Sequence, residues 1–216
     1  MDKKSFKNKK FVLIVRHGEL NNPRNIVYNR DTVMKSPIHL SALGKKHMQE
    51  VGELIKAKKF NLTKIFTSPE TRAHESVTEL NKTLKLPVET VDDLDDVFAP
   101  DPYNKGWKMD KLMSLGGNSY NLPHTESPEN ITQRMFNFFN TTVANLKVGQ
   151  AAILLSHGDP IAFLIYKLTT NSVLNPERIR QVKFPKKGQV TVAVINADET
   201  LSSLYFLNPD IEGSGY

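Results

Sequence analysis

Phe11-Val12-Leu13-Ile14-Val15-Arg16-His17-Gly18-Glu19 decides the reading of this chain: an apolar run stops abruptly on a guanidinium, an imidazole and a glycine. The same build returns far downstream, in Ala151-Ala152-Ile153-Leu154-Leu155-Ser156-His157-Gly158-Asp159-Pro160. Short aliphatic runs ended by glycine predict parallel strands buried on both faces. Ligands of open α/β sheets bind at the carboxyl ends of such strands. Two separate strands would therefore each deliver a histidine to one crevice.

Outward from these junctions, strand and helix patterns alternate. Strands are expected at 10–16, 62–67, 87–91, 150–156, 188–196 and 201–207, with helices at 41–58, 69–84, 128–147 and 160–169. Such alternation predicts one α/β domain over residues 1–216: a three-layer α/β/α sandwich on a mostly parallel sheet. Asn196-Ala197-Asp198-Glu199 is turn chemistry and predicts a closing hairpin. Residues 92–126 hold several prolines and glycines, with a short helix expected around 105–115; the segment is too long for a plain connection and reads as a loop and helix cap over the site. Ser68-Pro69, Ser127-Pro128 and Asp159-Pro160 each read as an N-cap followed by proline at the first helical position. Two of these follow directly on strands, so helix N-termini with free N–H groups would point into the crevice, as anion sites do.

Composition narrows the class. The 216 residues carry 39% hydrophobic and 24% charged residues, ordinary for a globular protein. Absence of cysteine excludes disulfides, thiolate catalysis and cysteine-ligated zinc. No stretch approaches the ~18 apolar residues of a membrane span, and the polar, lysine-rich start lacks an export signal, so a cytoplasmic protein is expected. The net charge of +6 is concentrated partly in Lys3, Lys4, Lys7, Lys9 and Lys10, with no RNA-binding or helix-turn-helix pattern beside it. The reading is a small acidic substrate, no nucleic acid and no membrane, with a second copy of the chain the one macromolecular partner admitted.

At the first strand end Arg16 offers a planar fork suited to phosphate oxygens. His17 can attack phosphorus through one ring nitrogen while a backbone carbonyl fixes the other. Thr67-Ser68-Pro69-Glu70-Thr71-Arg72-Ala73 follows the second strand. An arginine in a helix's first turn opposes the helix dipole unless an anion is bound, which favours a functional Arg72. Asp159 is read first as an N-cap, with proton donation as the alternative. His39, His47, His74 and His124 show no ligand spacing, and no metal or cofactor site is expected. Trp107 and Phe136, Phe138 and Phe139 read as packing residues.

Together these motifs resemble the histidine phosphatase superfamily, the phosphoglycerate-mutase-like fold, over nearly the whole chain. The resemblance rests on Arg16-His17-Gly18-Glu19, Leu40-Ser41-Ala42-Leu43-Gly44, Thr67-Ser68-Pro69-Glu70-Thr71-Arg72-Ala73, Glu126-Ser127 with Arg134, and Leu155-Ser156-His157-Gly158. It implies that His17 becomes phosphorylated while Arg16, Arg72 and His157 bind the phosphoryl group. It also implies a carboxylic proton donor after the third strand, where Asp96 is the best match and Asp93 and Asp95 are neighbours. Asp159 stays the rival. Asn25 and Arg24 are the expected substrate contacts, with Asn22 an alternative to Asn25 and Arg30 a further rim charge. The expected activity is a metal-independent phosphomonoesterase acting on a small phosphorylated metabolite. A mutase, a non-catalytic phospholigand-binding relative and a metal-dependent hydrolase are the rivals.

Overall fold

A computed structural model of the protein describes residues 8–23, 25, 38–97, 108–175, 177–178 and 184–208. Arg24, Arg30 and Trp107 lie outside the described residues. Six strands form one sheet: β1 (Lys9–Arg16), β2 (Asn61–Thr67), β3 (Val88–Thr90), β4 (Gln150–Ser156), β5 (Val190–Asn196) and β6 (Leu201–Phe206), in the order β3-β2-β4-β1-β5-β6. β1, β2, β3 and β4 run parallel, and β5 is antiparallel to both neighbours. The helices among the described residues are α1 (Ala42–Ala57), α2 (Thr71–Leu84), α3 (Met109–Leu115), α4 (Pro128–Asn145) and α5 (Gly158–Thr170), with 3-10 turns at Asp92–Leu94 and Gly116–Asn121.

Side chains alternate across a strand, so a run apolar at every position must be covered on both faces. β1 shows this directly. Phe11, Leu13 and Val15 join Met48, Val51 and Ile55 of α1 and Val77 and Leu80 of α2 in one core. Val12 and Ile14 point the other way, to Met135, Phe139 and Val143 of α4 and Ile161 and Leu164 of α5. The expected three-layer sandwich is thus built from two cores on either side of a central strand. The closing hairpin is also present, with Asn196 N–H donating to Thr200 O at 2.9 Å.

Helix starts differ from expectation in two places. Ser127 does cap α4, its side chain accepting from Asn130 N with Pro128 at the first position, and Ser41 caps α1 by accepting from Gly44 N. Ser68, however, is not the cap of α2. That helix begins at Thr71 with Glu70 as its cap residue. Nor is Asp159 the cap of α5, which begins at Gly158 with His157 as its cap residue. In both cases the chain turns into the helix without a side-chain cap, leaving the polar residues there for other partners. The short helix expected from about 105 begins at Met109 among the described residues.

The Leu40–Gly44 motif acquires a physical meaning here. Ser41 N–H donates to Glu19 O, and a Cβ built on Gly44 would stand 2.1 Å from the same oxygen. Glycine lets the start of α1 lie directly against the backbone that follows His17. Gly44→Ala is accordingly expected to lower stability by about 1–3 kcal/mol through overpacking, despite alanine's better helix propensity. Urea unfolding that showed a neutral or more stable variant would refute the close approach.

Candidate active site

Arg16 pairs with Ser156 across the β1/β4 register, and Thr67 pairs with Leu155 across β2/β4. The residue after each of three neighbouring strands therefore emerges at one edge of the sheet: His17, His157 and Ser68. The two histidine rings lie 5.2 Å apart between centroids, and both are buried. His17 N–H donates to Ser156 O, tying the two junctions by backbone.

His17 Nδ1 lies 2.8 Å from Gly18 O. A carbonyl only accepts, so Nδ1 carries the proton in that bond and Nε2 keeps its lone pair. Burial, then the charges of His157, Arg16 and Arg72, hold the His17 pKa well below the ordinary imidazole value. The ring is neutral at neutral pH. His157 is lowered likewise, by burial first and then by Arg72, Arg134 and Arg16.

The guanidiniums are held from outside the centre. Arg16 donates to Pro185 O at 2.7 Å and lies 5.2 Å from the centroid of the Phe184 ring. A Cβ on Gly158 would come within 2.5 Å of Phe184 and 2.9 Å of Arg16 Cζ, so glycine at the start of α5 leaves room for this stack. Gly188 N–H donates to the carbonyls of both Arg16 and His17. Arg72, 1% exposed, donates to Glu70 Oε2 at 2.9 Å and to Asp96 Oδ2 at 2.8 Å. Asp96 Oδ2 is also 3.4 Å from His157 Nδ1.

Arg134, for which the sequence offered only a motif position, organises the acidic loop. It is bidentate to Glu126 (2.7 and 2.9 Å) and donates to the carbonyls of Asp93, Asp95 and Asp96. Three carbonyls on one planar fork fix the turn that carries Asp96 against Arg72.

The structure thus brings Arg16, His17, Arg72, Asp96 and His157 together. Asn25 is elsewhere engaged: its side chain donates to Asp110 Oδ1 and its carbonyl accepts from Met109 N, joining the loop after β1 to α3. Asp159, instead of capping, accepts from Tyr120 OH at 2.8 Å, and Tyr120 packs edge-on against Phe163. This contact seats the 109–121 segment on α5. Glu70, Tyr120, Phe184 and Pro185 had no assigned role in the sequence, and Ser68 had only that of a helix cap. Ser68 and Glu70 stood inside a quoted motif, whereas residues 184–187 follow no periodic pattern and carried no signal. Among the described residues, no group of three or more His, Asp or Glu side chains is disposed to hold a metal ion, and no helix is long and apolar enough to cross a membrane.

The sequence profile of the histidine phosphatase superfamily (branch 1) matches residues 12–206, and the chain belongs to that superfamily. No curated protein sequence matches it significantly. Among solved structures it is similar to the mycobacterial glucosyl-3-phosphoglycerate phosphatase (17% identity over 94% of this chain and 99% of that one, TM-score 0.69). It is similar too to the α-ribazole phosphatase from Shigella flexneri (21%, 94% and 100%, TM-score 0.67). A phosphoserine phosphatase mutant from Entamoeba histolytica, in complex with phosphoserine, also aligns (16%, 90% and 96%, TM-score 0.68). At these identities the likeness establishes the fold.

Asp159 gives a pH test of the local packing. Burial, then the charge of Asp96, pushes its carboxyl up from 3.8 to about 6, against the opposing effects of Tyr120 and Arg16. The folded protein holds this proton more tightly than the unfolded chain. The associated stability is full below the unfolded value and is lost as pH rises through about 6. Asp159→Asn stays neutral and keeps an acceptor for Tyr120. It is expected to be more stable than wild type at alkaline pH by on the order of 2 kcal/mol, with the gain vanishing near the unfolded carboxylate value. Urea titrations at the two extremes would measure this; an equal effect at both would mean that Asp159 is solvated.

Proposed function

We propose that the protein is a phosphomonoesterase acting through a phosphohistidine on a small phosphorylated metabolite. The observation that carries this reading is the His17 Nδ1 contact with Gly18 O, which leaves a neutral, buried Nε2 beside His157 and the Arg16 and Arg72 guanidiniums. The superfamily match and neighbours described as phosphatases of glucosyl-3-phosphoglycerate, α-ribazole phosphate and phosphoserine support the same class.

In the proposed cycle Arg16, Arg72 and His157 receive the phosphoryl oxygens. His17 Nε2 attacks phosphorus and the bond to the leaving oxygen breaks. Preorganised donors of this kind are typically worth roughly 10²–10³ in rate each. Asp96 supplies the proton to the leaving oxygen. Geometry favours it over Asp159, because it already touches Arg72 and neighbours His157. An incoming phosphate replaces Asp96 on the Arg72 guanidinium, which frees the carboxyl to face the leaving oxygen; the proton it gives is returned to it in the second half of the cycle. After transfer, the Asp96 carboxylate takes a proton from water, the resulting hydroxide oxygen bonds to phosphorus, and the P–N bond breaks. The segment at 109–121, joined to α5 through Tyr120 and to the loop after β1 through Asn25, stands where selectivity for the leaving group would be set.

An acid-labile, base-stable phosphate should be trapped on wild-type protein and be absent from His17→Ala; phosphate persisting on that variant overturns the nucleophile. Asp96→Asn should slow alkyl phosphates far more than aryl phosphates, whose leaving groups need little protonation. The selective defect appearing in Asp159→Asn instead would transfer the acid role to α5.

A further inference from the structure

His157 makes a contact that the proposed cycle does not use. Its Nε2 lies 2.8 Å from Ser68 Oγ, and both residues are fully buried. Ser68 Oγ lies a longer 3.3 Å from Asp95 Oδ1 and accepts from Glu70 N at 3.2 Å. On the other side of the ring, His157 Nδ1 has no hydrogen-bond partner among the described residues and faces Asp96 Oδ2.

A neutral imidazole carries one proton, and the two possible tautomers use these surroundings differently. With the proton on Nε2, the ring donates to Ser68, Ser68 must send its own proton to Asp95, and a bare Nδ1 lone pair faces the Asp96 carboxylate. With the proton on Nδ1, Ser68 donates to Nε2 across the shorter contact. An N–H then faces the carboxylate, or any anion that replaces it. Asp95 does not need the serine proton, because its Oδ1 already accepts from Asp96 N at 2.7 Å. Glu70 N occupies one serine lone pair in either case. Distances and charges on both sides of the ring agree.

We infer that Ser68 is a positioning residue that fixes neutral His157 in its Nδ1–H tautomer, so that the ring donates into the active centre. His17 and His157 then share a tautomer while presenting opposite atoms inward: His17 a lone pair toward phosphorus, His157 an N–H toward oxygen. This is also the role of a serine that did not become a helix cap. Only the consequence for phosphate rests on the proposed function; the tautomer itself does not.

Long-range ¹H–¹⁵N correlation spectra of histidine-labelled, unliganded protein near neutral pH report the tautomer directly, with His157 assigned by its loss in His157→Gln. Wild type should show a protonated Nδ1 and an unprotonated Nε2. In Ser68→Ala the proton should redistribute toward Nε2. Inorganic phosphate, titrated calorimetrically, should then bind on the order of 10- to 100-fold more weakly, the scale of a lost hydrogen bond to a charged group. Asp95→Asn removes the competing carboxylate and should leave Nδ1 protonated. An Nε2–H His157 in wild type, or in Asp95→Asn, overturns the inference, as does Nδ1–H persisting in a folded Ser68→Ala. The wild-type spectrum decides even if Ser68→Ala does not fold. The expected tautomer in a protein that turned over no phosphate ester would overturn the proposed function and leave this inference standing.

Discussion

Burying like charges at one spot is the constraint on which the active centre depends. Arg16 and Arg72 are both nearly inaccessible, and both act on the same pair of buried histidines, with Arg134 acting on His157 as well. Isolated buried cations are costly, and removing one partner of a buried pair is more damaging than never having had it. The chain answers by holding each guanidinium at its rim. Glu70 and Asp96 neutralise Arg72, Phe184 and the Pro185 carbonyl hold Arg16, and Glu126 with three backbone carbonyls occupies Arg134. The cations are oriented before any ligand arrives, which is what electrostatic preorganisation requires.

The same positive surroundings control the histidines. Desolvation and neighbouring arginines both disfavour an imidazolium, so each ring is neutral and its chemistry is decided by where its single proton sits. Local backbone decides this for His17, through Gly18 O. For His157 a side chain from the neighbouring strand's turn is in contact instead. Two rings of identical type at equivalent strand ends thereby acquire different hydrogen-bond surroundings. The difference lies in the second partner of each ring, which no inspection of the histidines alone would reveal.

Asp96 and Asp159 divide along similar lines. Asp96 lies against Arg72, on a loop shaped by Arg134. Asp159 faces Tyr120 and holds its proton to about 6. Tyr120 links the 3-10 turn after α3 to α5, and Asn25 with Asp110 links α3 to the loop after β1. The 109–121 segment is therefore tied to the two elements that carry His17 and His157.

Much of this architecture was determined by sequence alone. Apolar runs closed by Arg16-His17-Gly18 and by Ser156-His157-Gly158 specify buried parallel strands, because only a sheet covered on both faces accommodates side chains apolar at successive positions. Their carboxyl-end histidines, the Arg72 turn, the Ser127 cap and the hairpin at 196–199 are legible for similarly local reasons: each depends on the chemistry of a few adjacent residues. The tertiary structure decided what local chemistry leaves degenerate. Asp159-Pro160 and Ser68-Pro69 have the residues of helix caps, yet packing placed the cap positions at His157 and Glu70 and turned the polar side chains to Tyr120 and His157. The hold on Arg16 by Phe184 and Pro185, and on the Asp96 loop by Arg134, joins residues about 170 and 40 positions apart. Contacts of that range leave no periodic signature in a single sequence, because they exist only once the sheet has brought its strand ends to one edge.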